Sequence, residues 1–178
     1  GVAMRMWATI GLAVLIGAAG TMPAAVSGEA KRGGKLIIAQ DEGPDRIDPH
    51  GTSNAFQYNL IVSGLYESLL SMDKDFKIHP SLASEWKQES PTSYLFTIRP
   101  GVKFHDGSEL TAEDVVFTFD RIFDAKRPNA SKLQLRMIKG VSAVDGNKVR
   151  IELKEPSAPF LRYIAAPETS GIVSKKFT

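Results

Sequence analysis

Between residues 94 and 123 the apolar pattern changes period from two to about 3.6, and this change sets the fold class. Tyr94, Phe96 and Ile98 alternate with Leu95, Thr97 and Arg99, which on a pleated strand sends the aromatic-rich set to one face. Pro100 and Gly101 stop that strand, Val102 and Phe104 resume a short alternating run, and Asp106 with Gly107 turns the chain again. From Leu110 to Asp124 the spacing is helical: Val115, Val116, Phe119, Ile122 and Phe123 form a stripe, leaving Glu113, Asp120 and Arg121 facing outward. Thr111 caps this helix with Asp114 as the third residue of a capping box, and Leu110 packs on Val115 as a hydrophobic staple. Acids lead the helix and Lys126 and Arg127 trail it, as the helix dipole prefers. A one-faced strand and a one-striped helix bury their apolar sides by packing on each other, so a mixed α/β domain is expected.

The same reading extends along the chain. After Gly33 and Gly34, residues 35–40 form a short apolar run bounded by turn residues and read as a buried strand. Residues 41–49 carry Pro44 and Pro49 among acids, which is loop chemistry at a strand end. Phe56, Leu60, Ile61, Leu65 and Leu69 then repeat at helical spacing with Tyr58, Val62 and Tyr66 on the other side, a buried helix that Asn54 and Gln57 cap. Residues 72–75 turn the chain, and residues 85–89 are a strand that pairs with 94–99 across the turn at 90–93. Val149, Ile151 and Leu153 alternate with charged residues in a half-exposed strand whose antiparallel partner is 141–144. Pro156 and Pro159 bracket the start of a short helix over Phe160, Leu161, Tyr163 and Ile164.

At the N-terminus Arg5 precedes an apolar run from Trp7 to Ala19, followed by the small residues a signal peptidase requires. Spanning a bilayer takes ~20 apolar residues, so residues 1–30 read as a cleaved secretory signal with the cut between Ser27 and Ala30. The 178 residues contain no cysteine, which excludes a disulfide framework and a lipid-modified N-terminal Cys, so a soluble periplasmic protein is expected rather than a lipoprotein. A formal net charge of +2, with bases interleaved among acids, gives no field to attract nucleic acid. Gly1 with Met4 and Met6 just inside, and an unfinished end at Thr178, suggest the leading part of a longer protein.

No catalytic constellation is legible. His50, His79 and His105 stand in separate turn-like contexts, and without cysteine a metal site would need carboxylates that the sequence does not bring to them. His105 beside Asp106 lies in a turn, and no nucleophile elbow accompanies it. Gly33 and Gly34 precede a strand, whereas a phosphate-cradling loop follows one. Trp86, Tyr94 and Phe96 read as core rather than as a ligand box. No cofactor, no metal and no enzymatic activity are expected.

Leu82, Ala83, Glu85 and Trp86, then Tyr94, Phe96, Ile98, Arg99 and the run from Gly101 to Gly107, then Ala112, Asp114, Val115 and Arg121 together resemble the signature segment of family 5 bacterial extracellular solute-binding proteins. Asp48 with Pro49 and the run from Leu65 to Leu69 resemble the same family in the same order. The resemblance implies a periplasmic-binding-protein-like fold, two-lobed and of class II type, with an additional α+β domain on one lobe and here truncated to its N-terminal part. On that reading residues 1–30 are signal, 31–55 start the first lobe, 56–165 form the additional domain, and 166–178 return towards the first lobe. It further implies a monomeric receptor that captures a small solute, an oligopeptide in first place, and hands it to the ABC permease subunits of the inner membrane. A secreted hydrolase, or a sensor or chaperone on the same scaffold, is the alternative. Relatives line their cleft with the loop after the first strand and the approach to the first long helix, which correspond to Glu42, Thr52, Ser53, Asn54 and Phe56. For Asn54 and Phe56, capping and core packing stand as equal readings.

Overall fold

The structure is a computed structural model and describes residues 33–35, 37, 48–50, 62–126 and 131–176. The chain divides into two units, Gly1–Ile38 and Ala39–Thr178. In the first, the described residues 33–35 and 37 are exposed and outside any strand, with Ile37 76% exposed. The buried strand expected at 35–40 is therefore not seen at Lys35 or Ile37, because an apolar run is buried only where a ladder and a covering layer meet it. Its other residues, the signal segment and the start of the helix expected from Asn54 lie outside the described residues.

The described residues of the second unit are organised by two antiparallel sheets. Strands β1 (Leu70–Met72) and β2 (Ile78–Pro80) form a short hairpin, in which Leu70 faces Pro80 and Met72 faces Ile78. Asp73 accepts hydrogen bonds from the Asp75 and Lys77 backbone N–H groups at 2.8 and 2.9 Å, closing the turn. Strands of three residues fall below what alternation reveals, and the sequence pattern shows only the turn between them. Strands β3 (Ala83–Ser90), β4 (Ser93–Ile98), β5 (Ile138–Asp145) and β6 (Lys148–Leu153) form a sheet of order β3-β4-β6-β5. Both hairpins expected from alternation are present, with β3 and β5 longer at the outer end than the pattern marked and β4 ending at Ile98, one residue short of the expected Arg99.

Phe96 sits mid-sheet, opposite Trp86 on β3 and Val149 on β6. Tyr94, Phe96, Ile98, Val149, Ile151 and Leu153 are all buried, so β4 and β6 turn their apolar sets to the same face. The other face is wetter, with Glu89 accepting from Arg150 Nε at 2.9 Å. Helix α1 (Ala112–Phe123) covers the apolar face over β5 and β6. Val115, Phe119 and Ile122 are at most 1% exposed, whereas Val116 and Phe123 at the margins of the stripe are less deeply placed. Helices α2 (Ser131–Gln134), α3 (Phe160–Ile164) and α4 (Pro167–Ser170) complete the cover, and the Phe160 ring meets Tyr94 with centroids 4.7 Å apart.

The helix expected to run through Leu69 stops earlier. Residues 62–65 are helical and Tyr66 N–H donates to the Val62 carbonyl at 2.8 Å, after which the chain extends into β1. Leu69 is buried from outside the helix and Leu65 is 40% exposed. The spacing persisted by coincidence: strand and extended residues on the same core continued the apolar run.

Candidate functional site

The N-terminal half of α1 is fixed by the capping box, in which Asp114 Oδ2 accepts from Thr111 N–H at 3.0 Å and from the Thr111 hydroxyl at 2.7 Å. Asp114 is 3% exposed and its other oxygen is also occupied, with Oδ1 accepting from the Lys175 backbone N–H at 2.8 Å. One turn on, the Thr118 hydroxyl donates to the Asp114 carbonyl at 2.8 Å and accepts from Val173 N–H at 3.1 Å. Two turns on, Arg121 reaches the segment at 48–50. Residues i, i+4 and i+7 share one helix face, so α1 has a second buried stripe, polar throughout, that clamps two incoming segments. Asp114→Ala removes the acceptor for two backbone donors, and a loss of about 1–2 kcal/mol is expected in urea denaturation.

Arg121 corrects the sequence reading, which faced it outward: it is 6% exposed. Its guanidinium grips Asp48 bidentately, Nη1 donating to Oδ1 at 3.1 Å and Nη2 donating to Oδ2. Nη1 also donates to His50 Nδ1 at 2.9 Å, and Asp48 Oδ1 accepts from the His50 backbone N–H at 3.0 Å. A planar fork matching a carboxylate is the geometry in which arginine tolerates burial. Burial alone would raise the Asp48 carboxyl, but the hydrogen bonds from Arg121 and from the His50 backbone, with the guanidinium charge, hold it below the usual carboxylate range. His50 is lowered to about 4, first by burial and then by the Arg121 charge, against the pull of Asp48 and of the Gly171 backbone. Because Nδ1 accepts, the neutral ring carries its proton on Nε2. Tyr66 completes the surroundings, its hydroxyl raised by burial and by the Asp48 charge.

Gly171 ends α4 against this cluster. A Cβ there would stand 2.6 Å from the Pro167 carbonyl oxygen, 3.2 Å from Tyr66 Cβ and 3.4 Å from Pro49 Cβ. Gly171→Ala should therefore lower stability by about 1–3 kcal/mol, read as a drop in thermal midpoint.

The remaining histidines do not join the cluster. His79 on β2 bonds Asp73 through Nε2 at 2.7 Å on the exposed hairpin, and His105 is exposed in its turn. Asp106 accepts from the Ser108 N–H at 2.9 Å and its hydroxyl at 2.6 Å, with Gly107 at φ +82, so this turn delivers the chain to the Thr111 cap. A cavity of about 450 Å³ opens beside it, lined by Tyr66, Val102, Phe104, His105, Leu110 and Ile172 among others. No group of three or more His, Cys, Asp or Glu side chains among the described residues is placed to hold a metal. Glu42, Thr52, Ser53, Asn54 and Phe56, the expected ligand contacts, lie outside the described residues.

The family model of the bacterial extracellular solute-binding proteins, family 5 Middle, matches residues 77–177. The chain belongs to this family. The match takes in the large sheet, α1 and its polar stripe, while the Asp48 and His50 partners lie upstream of it. Among family 5 relatives, the dipeptide-binding protein of Escherichia coli K12 is 31% identical over 88% of this chain. A dipeptide-binding protein from Pseudoalteromonas sp. SM9913, solved with Met-Leu, superposes with a TM-score of 0.67 at 29% identity over 76% of this chain. An ABC transporter-associated periplasmic binding protein from Helicobacter pylori, solved with peptide STSA, gives 0.62 at 26% identity over 74%. The chain spans 32%, 30% and 29% of the lengths of these three proteins respectively. The two-lobed family 5 fold is thus the frame in which the sheet and α1 sit.

Sequence reasoning placed Arg121 and Asp48 in the family resemblance without bringing them together. The available signal was the spacing of Asp114, Thr118 and Arg121 at i, i+4 and i+7, a polar stripe beside the apolar one.

Proposed function

We propose that the whole protein carrying this chain is the solute-binding component of an ABC transporter. It captures peptides or peptide-like solutes outside the cytoplasmic membrane and delivers them to the permease. The observation carrying this reading is the similarity, across 88% of the chain, to a relative named as dipeptide-binding. Two solved neighbours hold peptides, and one of them is described as periplasmic and transporter-associated. On this reading residues 1–30 direct export, 56–165 form the additional domain, and the protein closes as a monomer by hinge motion over its solute.

Glu42, Thr52, Ser53, Asn54 and Phe56 contribute to one wall of the cleft in this proposal. Glu42 offers a carboxylate to a peptide ammonium, the hydroxyls and the amide offer partners to a peptide backbone, and Phe56 offers apolar surface. Isothermal titration of the full-length protein with Met-Leu, a tripeptide, glutathione, an opine and a metal chelate tests it. Peptides should bind, and Glu42→Gln should weaken them by about 10- to 100-fold, as expected for a lost charged hydrogen bond. Binding of the opine or chelate without peptides overturns the solute class, and release of free amino acids from the peptides overturns the receptor reading itself.

A further inference from the structure

His50 is 2% exposed and its Nδ1 serves as an acceptor for a guanidinium that is itself buried. An imidazole in that position has one allowed charge state. A proton added to Nδ1 would point N–H at N–H and set two cations against each other in a dry site. On the opposite side, Nε2 is buried and makes no full hydrogen bond among the described residues, although the Gly171 backbone lies against the ring. Among the described residues the neutral form is therefore held firmly at Nδ1 and, at Nε2, only by that backbone contact. Around the ring, the segment itself supplies Asp48, α1 supplies Arg121, the turn after 62–65 supplies Tyr66, and the end of α4 supplies the Gly171 backbone. Asp48 is the one charged group among these that favours the protonated ring, and its carboxylate is already held bidentately by Arg121.

We infer that the turn at 48–50 is an acid-released latch, in which uptake of a proton by His50 detaches this turn from Arg121 and from Gly171 while the four-stranded sheet stays folded. The proton comes from water, and the released Arg121 keeps its own charge. Separate opening is possible because the sheet's core, Phe96, Ile98, Val115, Phe119, Val149 and Ile151, includes no residue of the latch.

The sign follows from linkage. The closed state resists protonation down to about pH 4, whereas an opened His50 titrates at its ordinary value of 6.5. The opened form therefore binds the proton first, and the latch has its full stability above about pH 6.5 and loses it as the pH falls towards 4. One proton taken up on opening raises the opening equilibrium about tenfold per pH unit in that window. The Asp48 carboxyl, held low in the closed state, adds its own loss only as the pH falls through and below its ordinary value of 3.8, so the two groups separate along the pH axis.

Hydrogen exchange of the full-length protein, with labelling times scaled to the intrinsic rate at each pH, tests the latch. Peptides covering 48–50 and 62–66 should lose protection between pH 6 and 4 while those covering 93–98 and 148–153 keep it. In His50→Asn, whose amide oxygen can still accept from Arg121, protection should no longer fall through this window. The His50 ring nitrogens of the unaltered protein, followed by NMR, should show the Nε2–H form at pH 7 and titrate together with the opening, a measurement independent of whether the variant folds. Protection that persists at pH 4, that is lost together with the sheet, or that falls equally in His50→Asn overturns the inference.

Discussion

Arg121→Ala is expected to be among the most damaging single changes in the described part of the chain, costing about 3 kcal/mol or more of unfolding free energy. The substitution leaves the Asp48 carboxylate, 23% exposed, and the 2%-exposed His50 without the cation that organises both. Removing one partner of a buried pair typically costs about 3–5 kcal/mol because the other charge remains in place. Partial access of water to Asp48 puts the expectation at the lower end of that range. Most of the cost is the stranded carboxylate rather than the attraction itself, so the double variant Arg121→Met with Asp48→Leu should recover much of the loss. A double-mutant cycle by urea denaturation measures this directly, with a coupling of about 1–3 kcal/mol expected between the two sites. Additive losses would mean that the pair is not coupled and that Arg121 acts through its bond to His50 and the packing of its stem.

The same residue shows where sequence reading stops. Alternation identified β4 and β6 and the 3.6 period identified α1, because in each case one face meets the core and the other meets water. Thr111 and Asp114 were legible as a capping box, since that motif is local. Arg121 was not, because a charged residue is read as solvent-facing unless its partner is known, and Asp48 is 73 positions away. Asp114 was half legible: its cap is written within four residues, but its bond to the Lys175 backbone depends on a return of the chain from 61 positions downstream. The short hairpin of β1 and β2 escaped for a different reason, its three-residue strands being too brief to show a period. What the sequence conceals here is the satisfaction of buried polar groups over long range, and the polar stripe of α1 consists of such groups.

Phe96→Ala is the second large effect, with an expected loss of about 3–5 kcal/mol. The ring is fully buried on an inner strand, between Trp86 of β3 and Val149 of β6, on the face that α1 covers. Its removal forfeits the transfer energy of the side chain and leaves a cavity that a hydrogen-bonded ladder on both sides cannot close. Relaxation towards the helix is also limited, because Asp114 and Thr118 fasten α1 to the segment at 173–175. Phe96→Leu should cost roughly half as much, since it retains most of the volume. Val144→Thr on β5, where the side chain is 43% exposed, should stay within about 0.5 kcal/mol. If domain stability is about 5–15 kcal/mol, Phe96→Ala removes a large fraction of it, and the urea midpoint should fall with little change in slope. The slope also separates two origins of the loss. A lower midpoint at constant slope locates the effect in the native core, whereas a shallower slope would show that the sheet and α1 no longer unfold as one unit, in which case the helix is held by its polar stripe more than by the apolar face it covers.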